Sequence, residues 1–156
     1  MPKEIERKFL IKNNSYRRQG VPELYRQGYI CQTPGKAVRI RIAGNKAYFT
    51  VKGWLQNTIV RQEYEYEIPV EHAEEMLATL CEKPLVEKIR YKAQWGDDVW
   101  EVDEFSGENE GLVVAEIEMP SEDYQPVLPP WIGEEVTNDP KYLNANLVFN
   151  PYKSWK

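Results

Sequence analysis

A chain of 156 residues with 42% apolar and 29% charged side chains can bury one core, so it is expected to form a single domain over residues 1–156 rather than a disordered segment. Its 20 basic and 25 acidic residues leave a net charge of −5, which argues against a general nucleic-acid binder. Cys31 and Cys81 form no CxxC, and His72 is the single histidine, so a disulfide framework, a zinc site and a histidine base all lack support. No apolar run reaches membrane-spanning length and charge begins at Lys3, so the sequence predicts a cytoplasmic protein without membrane contact.

In chain order, Glu4 to Leu10 reads as a first strand, with Glu4, Glu6 and Lys8 on one face and Ile5, Arg7 and Phe9 on the other. Asn13-Asn14-Ser15 reads as a turn able to cap a helix. Leu24 to Cys31 is a second strand, followed by a turn at Thr33-Pro34-Gly35-Lys36. Ala37 to Ile42 sets Arg39 and Arg41 opposite Val38, Ile40 and Ile42, and Ala43-Gly44-Asn45-Lys46 is a hairpin turn. Ala47 to Lys52 is a fourth strand, and Gly53 to Thr58 a loop. Ile59 to Ile68 follows as a strand that carries Arg61, Glu63, Glu65 and Glu67 on one face. Val70, Ala73, Leu77 and Leu80 recur at helical spacing over Val70 to Leu80, a segment that leaves His72 on a solvated surface. Leu85 to Gln94 sets Lys88, Arg90 and Lys92 opposite Ile89 and Tyr91. Val99 to Phe105 carries Glu101 and Asp103, and Leu112 to Met119 carries Glu116 and Glu118. Ser121-Glu122-Asp123 is a candidate cap for a short helix. Asp139-Pro140 reads as an N-cap with proline at the first helical position, leading into Lys141 to Val148.

Most of these strands are half apolar and half charged. Taken singly, each charged pair is what a sheet with one wet face would carry. The set is less ordinary, because acids and bases segregate strand by strand. About eight strands suffice to close a barrel. If the charged faces point inward, the bore holds many ions, which are costly to bury without partners. Such a bore needs a highly charged occupant. Arginines grip phosphate oxygens through paired hydrogen bonds and lysines act as point charges. Carboxylates beside a polyanion require hard cations between them, and Mg²⁺ takes a few carboxylates together with phosphate oxygens and water. The residue types point to metal-assisted phosphoryl chemistry.

With Glu4-Ile5-Glu6-Arg7-Lys8 as an ExExK strand, Arg39-Ile40-Arg41, Lys52, Glu63-Tyr64-Glu65, Glu87-Lys88-Ile89-Arg90-Tyr91, Asp103 and Glu116-Ile117-Glu118, the sequence resembles the CYTH superfamily of triphosphate tunnel metalloenzymes. Its length, the N-terminal position of ExExK, Arg26-Gln27-Gly28-Tyr29 and Glu134-Glu135-Val136-Thr137 resemble the short bacterial inorganic tripolyphosphatases. The resemblance implies an α+β, mainly β fold: an eight-stranded antiparallel barrel tunnel with helices packed outside. It implies that Glu4, Glu6 and Glu118 hold a first metal, Mg²⁺ or Mn²⁺. Glu63, Glu65, Asp103 and Glu116 then hold or orient a second metal and the attacking water. Lys8, Arg39, Arg41, Lys52, Lys88 and Arg90 bind the triphosphate. Nothing catalytic is carried onto Lys141, and Tyr29 reads as core before it reads as a polar contributor. The five tryptophans read as packing residues.

Four activities remain open within this reading: tripolyphosphate hydrolysis, adenylate cyclase, nucleoside or thiamine triphosphatase, and non-catalytic polyphosphate binding. The complete acidic set weighs against the last. Outward apolar faces leave room for a homodimer.

Overall fold

A computed structural model describes residues 3–54 and 60–155. Nine strands form: β1 (Lys3–Ile11), β2 (Gly20–Thr33), β3 (Lys36–Ala43), β4 (Lys46–Trp54), β5 (Val60–Ile68), β6 (Val86–Trp95), β7 (Asp98–Phe105), β8 (Val113–Glu118) and β9 (Ile132–Glu135). The first eight run in the order β5-β4-β3-β2-β6-β7-β8-β1, every neighbour antiparallel, and β1 pairs back onto β5 to close a barrel. The closing seam is short, pairing Lys3, Glu4 and Ile5 with Gln62, Arg61 and Val60. Farther along, β1 bends to pair with β9 from Phe9 onward.

The alternation of side chains decides what lies inside. Paired residues in antiparallel strands share a face, and the registers Lys8–Glu116, Lys52–Glu63 and Arg90–Asp103 set acid and base side by side in the bore. The apolar halves therefore face outward and need cover. Around Phe9, Trp100, Val102, Ala115 and Ile117, cover comes from the 3-10 turn at Ser15–Arg18, with Tyr16, and from Met119, Trp131 and Ile132. Edge-to-face contacts fix these rings, Phe9 to Trp100 at 5.6 Å and Tyr16 to Trp131 at 5.7 Å. Around Ile40, Ile42 and Ala47, cover comes from helix α1 (Val70–Thr79) through Ala73 and Leu77. Gly28 of β2 lies where that packing is closest, since a Cβ there would stand 2.7 Å from Leu85 and 2.8 Å from Cys81.

A third apolar cluster has a different place. Tyr29, Ala37, Val86, Phe105 and Val114 face inward, at one end of the bore, and pack against Ala145, Leu147 and Val148 of helix α2 (Asn144–Phe149). Helix α1 packs on the outside as expected, whereas α2 seats against inward-facing residues and stoppers one end. The chain after α2 straps it down: Tyr152 and Trp155 meet edge to face at 5.0 Å, Trp155 meets Tyr142 in the same way at 5.1 Å, and the Tyr152 amide donates to Asn109 Oδ1 at 2.8 Å.

Several boundaries differ from the sequence reading. β2 extends from Gly20 to Thr33 because its outer residues pair with β6 and β3 beyond the apolar stretch. The expected helix over Lys141 to Val148 splits into a 3-10 turn at Pro140–Tyr142, where Asp139 accepts from the Lys141 amide, and the shorter α2. Ser121-Glu122-Asp123 caps no helix; Ser121 Oγ instead donates to Asp123 Oδ1 at 2.7 Å. Asn14 makes no side-chain cap to the 3-10 turn that follows it. β9 carried no strand signal in the sequence. The expected start of the fifth strand at Ile59, and most of the expected loop before it, lie outside the described residues.

Candidate active site

The bore encloses a cavity of about 540 Å³. Glu4, Glu6 and Lys8 reach it from β1, Arg39 and Arg41 from β3, Lys52 from β4, and Glu63 and Glu65 from β5. Lys88 and Arg90 come from β6, and Glu116 and Glu118 from β8. All but one of the residues expected at the site thus converge on a single cavity.

Asp103 is the exception. It shares the inward face with Arg90 but is fully buried against its neighbours and does not reach the cavity lining. Its Oδ1 accepts from Arg90 Nε at 2.7 Å, and its Oδ2 accepts from Arg90 Nη2 at 2.9 Å and Lys88 Nζ at 2.8 Å. Its two oxygens accept three charge-assisted hydrogen bonds, an arrangement that holds Arg90 and Lys88 in place. Burial pushes the Asp103 carboxyl up, but Arg90 and Lys88 more than reverse this and hold it below the usual range. Lys88 faces a different balance: burial and the nearby Arg90 and Arg41 charges outweigh Asp103 and push its ammonium down to about 7.

Asp103 apart, contact lengths in the cavity differ from those of three pairs on the outer surface. Arg26–Glu74 at 2.6 Å, Arg7–Glu135 at 2.7 Å and Arg17–Glu104 at 2.7 Å are short, although the exposed Lys141–Asp139 pair is 3.9 Å apart. Pairs facing the cavity are long: Lys52–Glu4 at 3.2 Å, Arg90–Glu101 at 3.3 Å, and Lys8–Glu116, Lys52–Glu63, Arg39–Glu65 and Arg61–Glu6 at 3.4 Å. A charge-assisted hydrogen bond prefers about 2.7–2.9 Å, so the lining charges neutralise one another loosely. Buried Nε atoms of Arg39 and Arg61 have no acceptor among the described residues. Tyr25 lies under three cations, its ring centre 4.8 Å from Arg90, 5.1 Å from Arg41 and 5.9 Å from Lys88. Burial, with Arg39 and Arg90 nearby, pushes the Arg41 guanidinium down to about 10, a sign that this wall is short of negative charge.

The opposite wall is short of positive charge. Burial first, then Glu116 and Glu4, raise the Glu6 carboxyl to about 7. Burial also raises Glu4 and Glu118; for Glu118 the Glu4 and Glu6 charges add to it. Glu116 goes the other way, because Lys8, Arg90 and Lys88 outweigh its burial. Among the described residues no three acidic side chains converge as a ready-made ion cage. The carboxylates of Glu4, Glu6 and Glu118, raised by burial and by neighbouring carboxylates, are oxygen donors of the kind a hard divalent cation takes.

Four further groups belong to the site. Arg61 and Glu101 shared the inward faces of their strands but matched no family motif. Gln27 accepts from Arg41 Nε at 3.3 Å. Asn144 Oδ1 accepts from Lys88 Nζ at 3.0 Å and from Gln27 Nε2 at 3.3 Å. Its position depends on how α2 docks, and no local pattern announces that. Tyr29 serves both in the apolar cluster beneath the cavity and in its lining. Arg7 turns outward onto Glu135, away from the bore.

A closed antiparallel barrel with a bore of segregated acids and bases defines a polyanion-binding protein with room for hard cations. The comparisons agree: the CYTH domain profile matches residues 2–147, and the chain belongs to the CYTH family. It is 56% identical over 156 residues to an inorganic triphosphatase of Acetivibrio thermocellus, covering 100% of this chain and 99% of that protein. It is 38% identical over 153 residues to an inorganic triphosphatase of Nitrosomonas europaea, covering 94% and 97%. A crystal structure of an inorganic triphosphatase superposes with a TM-score of 0.64 at 37% identity, covering 95% of each chain.

Proposed function

We propose that the protein hydrolyses inorganic tripolyphosphate to pyrophosphate and phosphate with the help of Mg²⁺ or Mn²⁺, as a single domain in the cytoplasm. The observation that carries this reading is the loose ion pairing of the cavity: acids and bases face each other at 3.2–3.4 Å, neutralised but not locked. A metal–triphosphate complex carries both signs of charge and can exchange partners with both walls.

Lys8, Arg39, Arg41, Lys52, Lys88 and Arg90 bind the phosphate chain. Asp103 holds Lys88 and Arg90 in fixed orientation, so two of those cations are set before the substrate arrives. Glu4, Glu6 and Glu118 would hold the divalent cation, which supplies charge neutralisation on phosphate oxygens and lowers the pKa of water. Glu63, Glu65 and Glu116 orient the attacking water, and one of these carboxylates takes its proton. Attack on a terminal phosphoryl group asks the protein mainly for positioning and electrostatic stabilisation. The α2 stopper, with Leu143, Asn144 and Ala145 at the cavity floor, closes one end.

The test is incubation with tripolyphosphate, ATP or thiamine triphosphate in Mg²⁺ or Mn²⁺, following phosphate, pyrophosphate and cyclic AMP. Phosphate from tripolyphosphate supports the proposal. Cyclic AMP with pyrophosphate from ATP would assign a cyclase instead, and binding without turnover a non-catalytic module.

A further inference from the structure

Three cations that line the cavity have no role in the substrate set above: Lys46 and Lys92, which are exposed, and Arg61, which is buried. Arg61 lies on β5 at the barrel seam, directly opposite Glu4 in register. Its guanidinium is buried, and its ties are slight. Nη1 reaches Glu6 Oε1 at 3.4 Å, the indole of Trp54 lies 5.9 Å from its Cζ, and Nε has no acceptor among the described residues. An Arg whose purpose is to staple a seam would be expected in a short, two-bonded pair, as Arg7 makes with Glu135 at 2.7 and 2.8 Å. Arg61 instead leaves its Nε without an acceptor among the described residues and makes one long bond through Nη1, beside a cavity that also holds Lys8 and Lys52. A buried donor without an acceptor is costly in a folded protein, so an anionic oxygen is the group this position lacks. Glu6, its only ion-pair partner among the described residues, is the carboxylate assigned above to the divalent cation.

We propose that Arg61 is a triphosphate-binding residue that rests on Glu6 when neither ligand is bound and moves to a phosphate oxygen when triphosphate enters, with or without a cation on that carboxylate. The inference rests on the functional reading above. Arg61 and the cation compete for Glu6, and both attract the same polyanion. In the empty protein Arg61 therefore weakens metal binding, and in the loaded one it adds a phosphate contact.

The test uses the full chain and two binding measurements. Mn²⁺ binding without triphosphate is read by the electron paramagnetic resonance of free Mn²⁺. Tripolyphosphate binding in EDTA is read by titration calorimetry. With Arg61→Gln, the uncompeted Glu6 should bind Mn²⁺ about tenfold tighter, and metal-free tripolyphosphate should bind about tenfold weaker. Arg61→Lys keeps the charge but not the fork, so it should recover part of the tripolyphosphate affinity. Unchanged tripolyphosphate affinity, or Mn²⁺ binding that is unchanged or weaker, in a variant of parental melting temperature overturns the proposal and leaves Arg61 a seam staple. Should Arg61→Gln fail to fold, Arg61→Lys decides: tripolyphosphate affinity equal to the parent's overturns the proposal, and a loss of about threefold supports it. Turnover of tripolyphosphate by the parent protein, measured alongside, tests the functional reading separately.

Discussion

Asp103→Asn exposes how much of the bore depends on one buried carboxylate. The substitution keeps the volume and replaces an acceptor-only group by one oxygen and one NH₂. Arg90 Nε approaches Oδ1 at 2.7 Å, while Arg90 Nη2 and Lys88 Nζ approach Oδ2 at 2.9 and 2.8 Å. Either orientation of the amide therefore sets a donor against a donor and leaves two buried cations without their counter-ion. Breaking a buried pair by removing one partner costs about 3–5 kcal/mol. For a chain of this size, about 2–4 °C per kcal/mol places the melting temperature about 6–20 °C lower. Urea unfolding followed by tryptophan fluorescence reads the change directly, since Trp100 and Trp131 are fully buried in the outer core. The midpoint should fall with the slope unchanged. A loss under about 1 kcal/mol would show that the Lys88–Asp103–Arg90 contacts carry little net stability, and the reasoning that makes Asp103 a positioning anchor would fail.

Other predictions concern pH, substrate and the stopper. Glu6 is raised to about 7 from an ordinary 4.5, so the folded protein holds its proton more tightly and stability falls as pH rises from 4.5 to 7. Lys88 is lowered to about 7 from 10.5, so the unfolded chain binds more protons between 7 and 10.5 and stability rises there. Melting temperatures in EDTA should therefore pass through a minimum near pH 7, and Glu6→Gln should flatten its acid limb; a profile with a maximum at pH 7 contradicts this. Glu6→Gln should also abolish metal-dependent turnover while leaving the circular dichroism unchanged; activity near the parent's would remove Glu6 from the cation site. Arg41→Ala should raise the KM for tripolyphosphate and lower kcat, and steady-state kinetics matching the parent would take Arg41 out of the substrate contacts. Leu147, fully buried in the stopper, should cost about 2–5 kcal/mol on truncation to Ala; urea unfolding that shows less than about 1 kcal/mol would mean that α2 is not packed into the barrel end.

The bore was legible in the sequence because strand alternation is strict. Arg39 and Arg41, Lys88 and Arg90, and Glu116 and Glu118 each sit two residues apart, so once one member faces inward its neighbour must follow. The same rule placed Asp103 on the inward face but could not show that Arg90 and Lys88 would donate to both its oxygens. That depends on the register Arg90–Asp103, a pairing between strands rather than a property of either one. The stopper escaped the reading for a related reason. Ala145, Leu147 and Val148 look like any short apolar turn, and their seat among Tyr29, Phe105 and Val114 is set by tertiary docking. Asn144 entered the site only with that docking. β9, four residues long, is held by the bend of β1 and by the cover over Trp131, and carries no alternation of its own.

The central claim is that the two charged walls together process a metal–triphosphate complex. Its most direct test is phosphate release from tripolyphosphate in Mg²⁺ or Mn²⁺, in EDTA, and with ATP in place of tripolyphosphate. The account predicts equimolar phosphate and pyrophosphate from tripolyphosphate with metal, none in EDTA, and little from ATP. Turnover that persists in EDTA, or metal-dependent turnover of ATP with tripolyphosphate untouched, would contradict it.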